Sequence, residues 1–453
     1  MSVASGALTA NAVPVSQRCT LVLPSSDAFD SRAWRIASAL AARGHQVTVM
    51  ARLAPGRAAA EEHPAGYRII RVPVSAVAGL PAPFRWLARR ARRRATATGE
   101  RLAEAPVEAT VTVQSRAGLA GRLRSAWSAF VRLAAIALTV RSQRIASRPL
   151  APPADLVHAM AYMGIPVGLD LGRRDGAAVV YDARDIYVDA KNVARLPGFA
   201  RRLFAAVERR WARRASRVAT VNEPYADVME RRFGVARPVI VMNCSYRRQP
   251  AFPLPRLFHE RLALAPVTRV VLYQGGLSRD RGIEQLIEAV PSFPADTVLV
   301  LLGYGALQAE LEARAAAELA GRMFVLAAVS PAELLDWVAS ADLVAMPIQP
   351  TTLNHRLTTP NKLFEAMAAG VPVVASDLPG MAGIVRETGC GLLCDPTDAA
   401  AIAAAIRAIL DGPETERLAF RERAIAAAQG PYSWEAQMEI LLAEYGRLTG
   451  RPW

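Results

Sequence analysis

Cysteine is scarce in this sequence of 453 residues, which contains Cys19, Cys244, Cys390 and Cys394. Four cysteines are too few for a disulfide framework in a chain of this length. Cys390 and Cys394 have a CxxxC spacing, but no histidine or cysteine cluster matches it, so a zinc site is not expected. A hydrophobic fraction of 52% instead predicts ordinary globular cores, and the length allows two or three domains.

Long apolar runs are also missing. No run reaches 18 uncharged apolar residues, so no transmembrane helix is predicted. The first 17 residues have neither a basic start nor a sustained apolar run, which argues against a secretion signal. We therefore expect a cytoplasmic protein.

Several catalytic and binding signatures are absent. The sequence has no GxxxxGK[ST] phosphate loop and no visible nucleophilic triad. Nucleic-acid binding is the non-enzyme alternative, suggested by an isoelectric point of about 10.4. No helix-turn-helix, zinc module or pattern of stacking aromatics supports it, so we expect no nucleic-acid partner.

The positive charge is confined to two segments of the N-terminal half. Residues 81–150 hold 14 arginines and three glutamates, and residues 201–217 hold seven arginines and one glutamate. These segments carry net charges of +11 and +6, so the rest of the chain is slightly negative, since the total is +15. The excess of positive charge is therefore local to these two segments.

Residues 81–150 read as two or more arginine-rich helices. Apolar residues recur at helical spacing at Leu119, Leu123, Trp127, Val131, Ala134 and Leu138. An amphipathic helix with aromatics and an arginine-rich polar side is typical of contact with an anionic membrane surface or acceptor. The alternative is a pair of helices that cap the first domain with solvated arginines.

Strand and helix patterns alternate along most of the chain, which predicts an α/β fold with parallel sheets covered by helices on both faces. The predicted strands of the first half are 18–23, 47–50, 67–72, 156–160, 178–181, 218–221 and 239–242. Those of the second half are 269–274, 298–302, 323–326, 343–346 and 371–375. The predicted helices include 32–43, 283–290, 306–319 and 433–448.

A proline-rich segment, 247–266, is the best candidate for a linker between the two halves. We predict an N-terminal Rossmann-like domain, 1–250, joined by the last helix in 433–453, and a second Rossmann-like domain, 251–432. Ligands of such folds bind at the carboxyl ends of the strands, so a cleft between the domains is the expected site.

The most informative stretch runs from residue 358 to 376, TTPNKLFEAMAAGVPVVAS. Thr359 is suited to cap a helix, Pro360 suits its first position, and Gly370 ends it before a buried strand. A helix N-terminus binds phosphate well, and Lys362 adds a full positive charge there. Glu365, one turn further, suits the two adjacent hydroxyls of a ribose. This helix is predicted to hold the diphosphate and sugar of a nucleotide; the alternative is an ordinary helix with a solvated lysine and glutamate.

The same stretch resembles the donor-binding helix of family 4 glycosyltransferases, and the likeness extends over about residues 21–448. The resemblance implies the GT-B fold: two facing Rossmann-like domains with parallel sheets, here with an arginine-rich helical insertion in the first and a C-terminal helix crossing back. It also implies that Lys362 and Glu365 contact a nucleotide-sugar and that anomeric configuration is retained.

Further residues on the donor side follow from the resemblance. Arg281 falls where similar enzymes carry a lysine on the diphosphate, so it joins Lys362 and Glu365 as a predicted catalytic residue. Gly276 falls where many carry an arginine, which makes Arg279 a candidate for the second charge. Solvated arginines at a helix end are the alternative. The predicted donor-binding residues are Gly275, Gly276, Arg279, Gly303, Gly305, Val329, Thr358, Asn361 and Leu363.

One glutamate common in the family is missing, because Leu357 occupies its position. Main-chain amides near residues 356–358, or His355, are the candidates to contact the donor sugar instead.

Acceptor-side candidates lie in the first half. The segment 155–160 resembles a family motif ending in His-x-His, but Met160 replaces its second histidine. The segment 181–189 resembles the family's Asp-Ala-His-Glu turn, with Arg184 and Asp185 in place of its last two residues. The alternatives are simple helix capping in the loop before Arg32, a structural role for His158, and a local ion pair within the segment 181–189. The acceptor-side candidates are Arg32, His158, Asp182, Arg184 and Asp185.

The resemblance thus implies a hexosyltransferase that moves a sugar from a UDP- or GDP-sugar to a hydroxyl of a glycan or lipid-linked acceptor, in the synthesis of cell-surface polysaccharide or glycoconjugates. No metal or other cofactor is expected, because no DxD-like carboxylate pair lies near the donor helix. A nucleotide-sugar epimerase of related fold is the alternative enzyme. A peripheral position on the inner face of the plasma membrane fits the arginine-rich segment.

Overall fold

Parallel strands alternate with helices in the computed structural model, which describes residues 16–27, 30–79, 119–249 and 253–453. Most of the predicted arginine-rich region, 81–118, lies outside these residues. Of the remainder of that region, 119–150, all but the last three residues form one helix, Leu119–Ser147.

An eight-stranded sheet occupies the first half of the chain. Its strands are β1 Arg18–Val22, β2 Gln46–Arg52, β3 Ala60–His63, β4 Tyr67–Val72, β5 Leu156–Met160, β6 Ala178–Asp182, β7 Arg217–Thr220 and β8 Val239–Ile240. They are ordered β3-β4-β2-β1-β5-β6-β7-β8, with β3 antiparallel to β4 at one edge. Strand β3 was not predicted, because its AEEH sequence has no apolar alternation.

A second sheet contains six parallel strands. They are β9 Arg269–Gly276, β10 Thr297–Tyr304, β11 Met323–Ala327, β12 Leu343–Met346, β13 Val373–Ser376 and β14 Gly391–Cys394, in the order β11-β10-β9-β12-β13-β14. The predicted strand 371–375 begins two residues later than expected, and β14 was missed. The core lies on both faces of this sheet: Val270 and Leu272 pack into one apolar cluster, while Val271 and Tyr273 pack into the other. Burial on both faces explains the continuous apolar runs of these strands.

Helices connect the strands. In the first half they are α1 Ser31–Ala42, α2 Ala76–Gly79, α3 Leu119–Ser147, α4 Ala161–Asp175, α5 Lys191–Ala194, α6 Gly198–Ala212 and α7 Glu223–Met229. The others are α8 Leu257–Leu262, α9 Ile283–Ala289, α10 Gln308–Glu318, α11 Leu334–Ala339, α12 Leu353–Leu357, α13 Asn361–Ala369, α14 Pro379–Thr388, α15 Ala399–Leu410, α16 Glu414–Gln429 and α17 Trp434–Thr449.

The segment predicted as a linker is not free of structure, because it contains α8. Its Phe258 is fully buried in a core cluster, which anchors this part of the segment. Four prolines concealed the short helix from the sequence analysis.

The chain divides into two compact units. The first comprises residues 1–183, 195–218 and 441–453, and the second comprises 184–194 and 219–440. The predicted domain boundary at residue 250 stays a prediction, and this division places 219–250 with the second unit. No helix within the described ranges is both long and apolar enough to cross a membrane.

Candidate functional site

A pocket of about 570 Å³ lies in the second unit, beside the ends of β9 and β10 and the start of α13. The carboxyl ends of parallel strands are the usual ligand-binding edge of such sheets. The structure brings together many of the predicted site residues in its wall: Arg184, Asp185, Gly275, Gly276, Arg281, Gly303, Val329, Thr358, Asn361, Lys362 and Glu365.

The entrance to α13 differs from the prediction by one residue. Pro360, with extended backbone (φ −75°, ψ 145°), holds the N-cap position, and the helix begins at Asn361. Thr359 is therefore not the cap. Its hydroxyl donates to the Gly380 carbonyl at 2.7 Å and accepts from the Asn222 amide at 3.0 Å, which fixes the loop before the helix. Gly370 ends α13 in the left-handed conformation, as predicted.

Lys362 presents a buried ammonium to the pocket. Its Nζ lies 3.6 Å from the centre of the Tyr273 ring and has no hydrogen-bond partner among the residues that the structure describes. The pKa of Lys362 is lowered to about 7, chiefly by burial and also by the charge of Arg281, while the carboxylate of Glu365 opposes the shift. A buried cationic group without a partner is costly, so this arrangement favours an anionic ligand.

Glu365 lies one turn further along α13. Its Oε2 accepts from the Nε2 of Gln274 at 3.5 Å, a long contact from a side chain that is itself buried. The Oε1 of Gln274 has no partner within the described residues. The carboxylate and this amide oxygen together offer acceptors to the hydroxyls of a ligand.

Arg281 is directed into the pocket by a tight turn. Asp280 and Gly282 both have positive φ, at 68° and 76°. A Cβ at position 282 would lie 1.8 Å from the Pro347 carbonyl oxygen, so only glycine fits there. Arg279 does not line the pocket. It is 70% exposed and pairs with Glu284 and Glu310 at 3.9 and 3.6 Å, which makes it a solvated surface arginine rather than the second diphosphate charge.

The predicted glycines have packing roles. A Cβ on Gly303 would lie 1.9 Å from the Gly275 carbonyl oxygen, and one on Gly305 would lie 2.1 Å from the Leu277 carbonyl oxygen. Both glycines therefore permit the close approach of neighbouring chain segments, and Gly305 is not part of the pocket wall. Gly275, with φ +119°, would place a Cβ 3.7 Å from the Nζ of Lys362.

Two other residues from the sequence analysis lie away from the pocket. Leu363 is fully buried in a core cluster, so its side chain anchors α13 and does not face a ligand. His355 is buried, with its Nδ1 hydrogen-bonded to the Thr351 hydroxyl at 2.8 Å, and is not in the pocket wall. Thr358, by contrast, lines the pocket, which favours the main chain near 356–358 as the substitute for the missing glutamate.

Asp185 and Arg184 belong to the second unit and line the same pocket. The side chain of Asp185 is exposed to the pocket, where neighbouring protein atoms limit the hydration of its carboxyl. This desolvation raises the pKa of Asp185, while the nearby charges of Arg184 and Arg281 oppose the rise.

The other three acceptor-side candidates are buried together in the first unit. Arg32 donates to the Asp182 carboxylate at 2.7 Å, and the Nε2 of His158 lies 3.2 Å from the same carboxylate. Because that carboxylate accepts only, the Nε2 of His158 donates to it, and the Nδ1 of the same ring is hydrogen-bonded to the Tyr445 hydroxyl at 2.7 Å. All three candidates are at most 1% exposed, so their contacts satisfy one another and do not present a binding surface.

Replacing Asp182 by alanine is expected to destabilise the protein by about 3–5 kcal/mol, because it leaves the buried Arg32 without its carboxylate. Urea unfolding measures this change. Asp377→Ala is the matched control, since Asp377 pairs with Arg386 on the surface and should cost at most about 1 kcal/mol. Equal losses in the two variants would contradict the structural role of Asp182.

Several pocket residues escaped the sequence analysis. Tyr273 and Gln274 lie near the carboxyl end of the buried strand β9, and this position could have identified them as candidates. Tyr225 and Asn243 have no comparable signal. Asn243 donates from Nδ2 to the Oδ1 of Asn361 at 2.8 Å, and Tyr225 donates from its hydroxyl to the Asn354 carbonyl at 3.2 Å.

Two family models match this chain. Residues 30–245 match a glycosyl transferase 4-like domain, and residues 268–412 match glycosyl transferases group 1. Together they cover most of the sequence, including every strand of the two sheets except β1, and all the residues that line the pocket.

Curated relatives resemble part of the chain. The D-inositol 3-phosphate glycosyltransferase of Xylanimonas cellulosilytica is 31% identical over 42% of this chain and 45% of its own length. Glycogen synthase of Mycobacterium tuberculosis is 32% identical over 36% of this chain and 39% of its own length. The chain thus spans less than half the length of these relatives.

Solved structures share the whole fold. Sucrose-phosphate synthase from Thermosynechococcus elongatus superposes with a TM-score of 0.69 and 20% identity, over 96% of this chain and 99% of the other. Anabaena Alr3699/HepE in complex with UDP-glucose gives a TM-score of 0.58 and 18% identity, over 95% of this chain and all of the other. The two family models and the common fold agree: the chain belongs to the family 4 type of group 1 glycosyltransferases, with the GT-B fold.

Proposed function

We propose that the protein is a retaining glycosyltransferase that moves a sugar from a nucleotide-sugar, with UDP or GDP as the nucleotide, to a hydroxyl of an acceptor. The observation that carries this proposal is the unpartnered Nζ of Lys362, buried in a pocket wall at the start of a helix and accompanied by Arg281. Two cationic groups and a helix N-terminus match the charge of a diphosphate.

The proposed reaction breaks the bond between the sugar carbon and the diphosphate oxygen and forms a bond from that carbon to the acceptor oxygen. Arg281, Lys362 and the N-terminus of α13 stabilise the negative charge that develops on the leaving diphosphate. The acceptor proton passes to the departing phosphate, so no side-chain nucleophile is needed. Main-chain groups near Val329 face the base, and Glu365 accepts hydrogen bonds from the ribose.

The relatives support this type of donor and acceptor. HepE was solved with UDP-glucose, and the Xylanimonas enzyme acts on an inositol phosphate. In this chain Arg184 and Asp185 line the donor pocket and are suited to an acceptor with hydroxyl or anionic groups. A glycan or lipid-linked acceptor in cell-surface polysaccharide synthesis, and a peripheral position on an anionic membrane, belong to the same proposal, and no metal is required by it.

Thermal-shift screening against a panel of nucleotide-sugars identifies the donor. A shift with one UDP- or GDP-sugar, followed by release of the nucleoside diphosphate only when an acceptor is added, is the expected result. Turnover of the donor without acceptor would favour the epimerase, and the absence of any shift across the panel would refute the proposed donor site.

Replacing Arg281 by alanine is expected to weaken binding of the nucleoside diphosphate by about tenfold or more, because a charge-assisted contact contributes about 1.5–3 kcal/mol. Binding of the uncharged nucleoside should change little. Titration calorimetry with both ligands measures the two effects. Arg279→Ala removes the same charge two residues away but outside the pocket, so it should leave both affinities unchanged; equal weakening of nucleoside and diphosphate would contradict the role of Arg281.

A further inference from the structure

Three helices of the first unit enclose an apolar cavity of about 350 Å³, which we call the α3–α6 groove. It lies between α3, α4 and α6, and its wall includes Ile136, Val140, Pro166, Leu203, Val207 and Trp211. The cavity is separate from the donor pocket, with which it shares no residue.

The surface near the groove exposes large apolar side chains. Leu203 belongs to the groove wall yet is 56% exposed, and its α6 neighbour Phe199 is 59% exposed. On α3, Trp127 and Phe130 are 67% and 62% exposed and stack with ring centres 5.8 Å apart. Exposed apolar side chains concentrated on two helices beside an apolar cavity are typical of an interaction surface.

Positive charge surrounds this apolar surface. Arg141 lines the groove and has no carboxylate partner among the described residues, and the same holds for the exposed Arg202, Arg209 and Arg210 of α6. The one acidic residue of α6, Glu208, is buried and accepts from the Tyr181 hydroxyl at 2.8 Å, so it does not neutralise the surface.

Of the two arginines in the groove wall, Arg144 pairs with Asp170 at 2.7 Å, which leaves Arg141 for a ligand. An apolar cavity with this arginine in its wall and further unpaired arginines on α6 is complementary to a molecule with an apolar chain and an anionic head. We propose that the α3–α6 groove takes an acyl chain of an anionic phospholipid in a bilayer, with Arg141 at the lipid phosphate. The arginines of α6 then face neighbouring headgroups, and Phe199 and Leu203 enter the boundary between headgroups and chains. A nucleic acid has no apolar chain to fill the cavity. This inference deepens the membrane part of the proposed function and does not depend on donor chemistry.

Sedimentation with vesicles tests the proposal. The full chain should pellet with vesicles of phosphatidylglycerol and phosphatidylcholine and not with phosphatidylcholine alone. Arg141→Glu should weaken this partition by about tenfold or more, since it removes one basic residue, which contributes about 1 kcal/mol at such a surface, and adds an acidic residue that the anionic surface repels. Leu203→Glu should weaken it similarly. Both residues are exposed, so neither substitution places a charge in the protein interior, and circular dichroism checks the fold.

Arg261→Glu is the matched control, because Arg261 is exposed on α8 of the second unit, outside the groove, and has no carboxylate partner in the described ranges. It should leave sedimentation unchanged. Nucleoside diphosphate binding should stay normal in all three variants, which separates this inference from the donor-site proposal. A wild-type chain that never pellets, as expected if protein covers the groove, would overturn the proposal. So would a loss with Arg141→Glu that Leu203→Glu does not reproduce, or an equal loss with Arg261→Glu.

Discussion

Replacing Lys362 by methionine is expected to lower kcat/KM for transfer by about 10²–10³-fold. The variant keeps an unbranched apolar side chain but removes the cation that lies over the Tyr273 ring and faces the leaving diphosphate. A preorganised group that stabilises transition-state charge typically contributes about this much. Initial rates at subsaturating donor measure the loss, and circular dichroism checks the fold.

Two further variants sharpen this test. Arg279→Met removes an exposed cation that pairs with surface glutamates and is not in the pocket wall, and it should leave the rate unchanged. Lys362→Arg retains a charge but places a larger, planar group in a buried space, so it should restore little activity. Near-normal transfer by Lys362→Met would refute the role of this lysine.

The lowered pKa of Lys362 also predicts a pH signature. Between about pH 7 and its ordinary value of 10.5, the free folded protein holds this lysine mostly neutral, whereas the unfolded chain holds it charged. The unfolded state then binds more protons, so this group makes the ligand-free protein more stable as pH rises through that range. A bound diphosphate favours the charged form, so binding above pH 7 should take up a proton.

Calorimetry in two buffers with different ionisation enthalpies measures that proton uptake. At pH 8 the wild-type protein should take up a proton on binding nucleoside diphosphate, and its affinity should fall as pH rises further. Lys362→Met should abolish the uptake. An uptake that persists in this variant would assign the proton to another group.

Replacing Glu365 by glutamine is expected to lower kcat/KM by about 10²-fold. The amide keeps the size of the side chain but loses the charge that strengthens hydrogen bonds to ribose hydroxyls, which contribute about 1.5–3 kcal/mol each. A donor with deoxyribose should already be poor for the wild-type enzyme and should lose little more in the variant. Rates with the two donors therefore isolate the ribose contact.

The pKa of Lys362 complicates this comparison, because the carboxylate of Glu365 raises that pKa. Rates are best compared near pH 6, where Lys362 is charged in the wild-type protein. Glu310→Gln, which alters an exposed glutamate outside the pocket, serves as control. Equal losses for ribose and deoxyribose donors would show that Glu365 acts elsewhere than on the sugar.

Local sequence patterns located most of the donor side. Gly370 ends α13 because glycine adopts the left-handed conformation there, and the helix start was wrong by a single residue. Lys362 and Glu365 stand three residues apart, so any helix brings them to the same side. The composition also indicates Lys362 as a candidate, because the chain uses lysine at only two of its 55 basic positions.

The acceptor-side predictions had mixed outcomes, because two of the five candidates line the pocket and three are buried elsewhere. Arg32, His158 and Asp182 carry the residue types of a polar site, but they come from three distant segments and pair with each other in the interior. Sequence reasoning could place each at the end of a strand or the start of a helix. It could not foresee that their charges would be satisfied by mutual contacts.

By itself the sequence determined the two alternating α/β halves, the family, and a helix that carries a lysine and a glutamate on one side. These follow from local periodicity and capping, which involve residues close together in the chain. Only the tertiary structure decided that Arg281 enters the pocket while Arg279 pairs with surface glutamates, because the Pro347 carbonyl fixes the turn at Gly282. It likewise placed Tyr273 beneath Lys362 and Gln274 beside Glu365, since such contacts join strands and helices that lie about 90 residues apart.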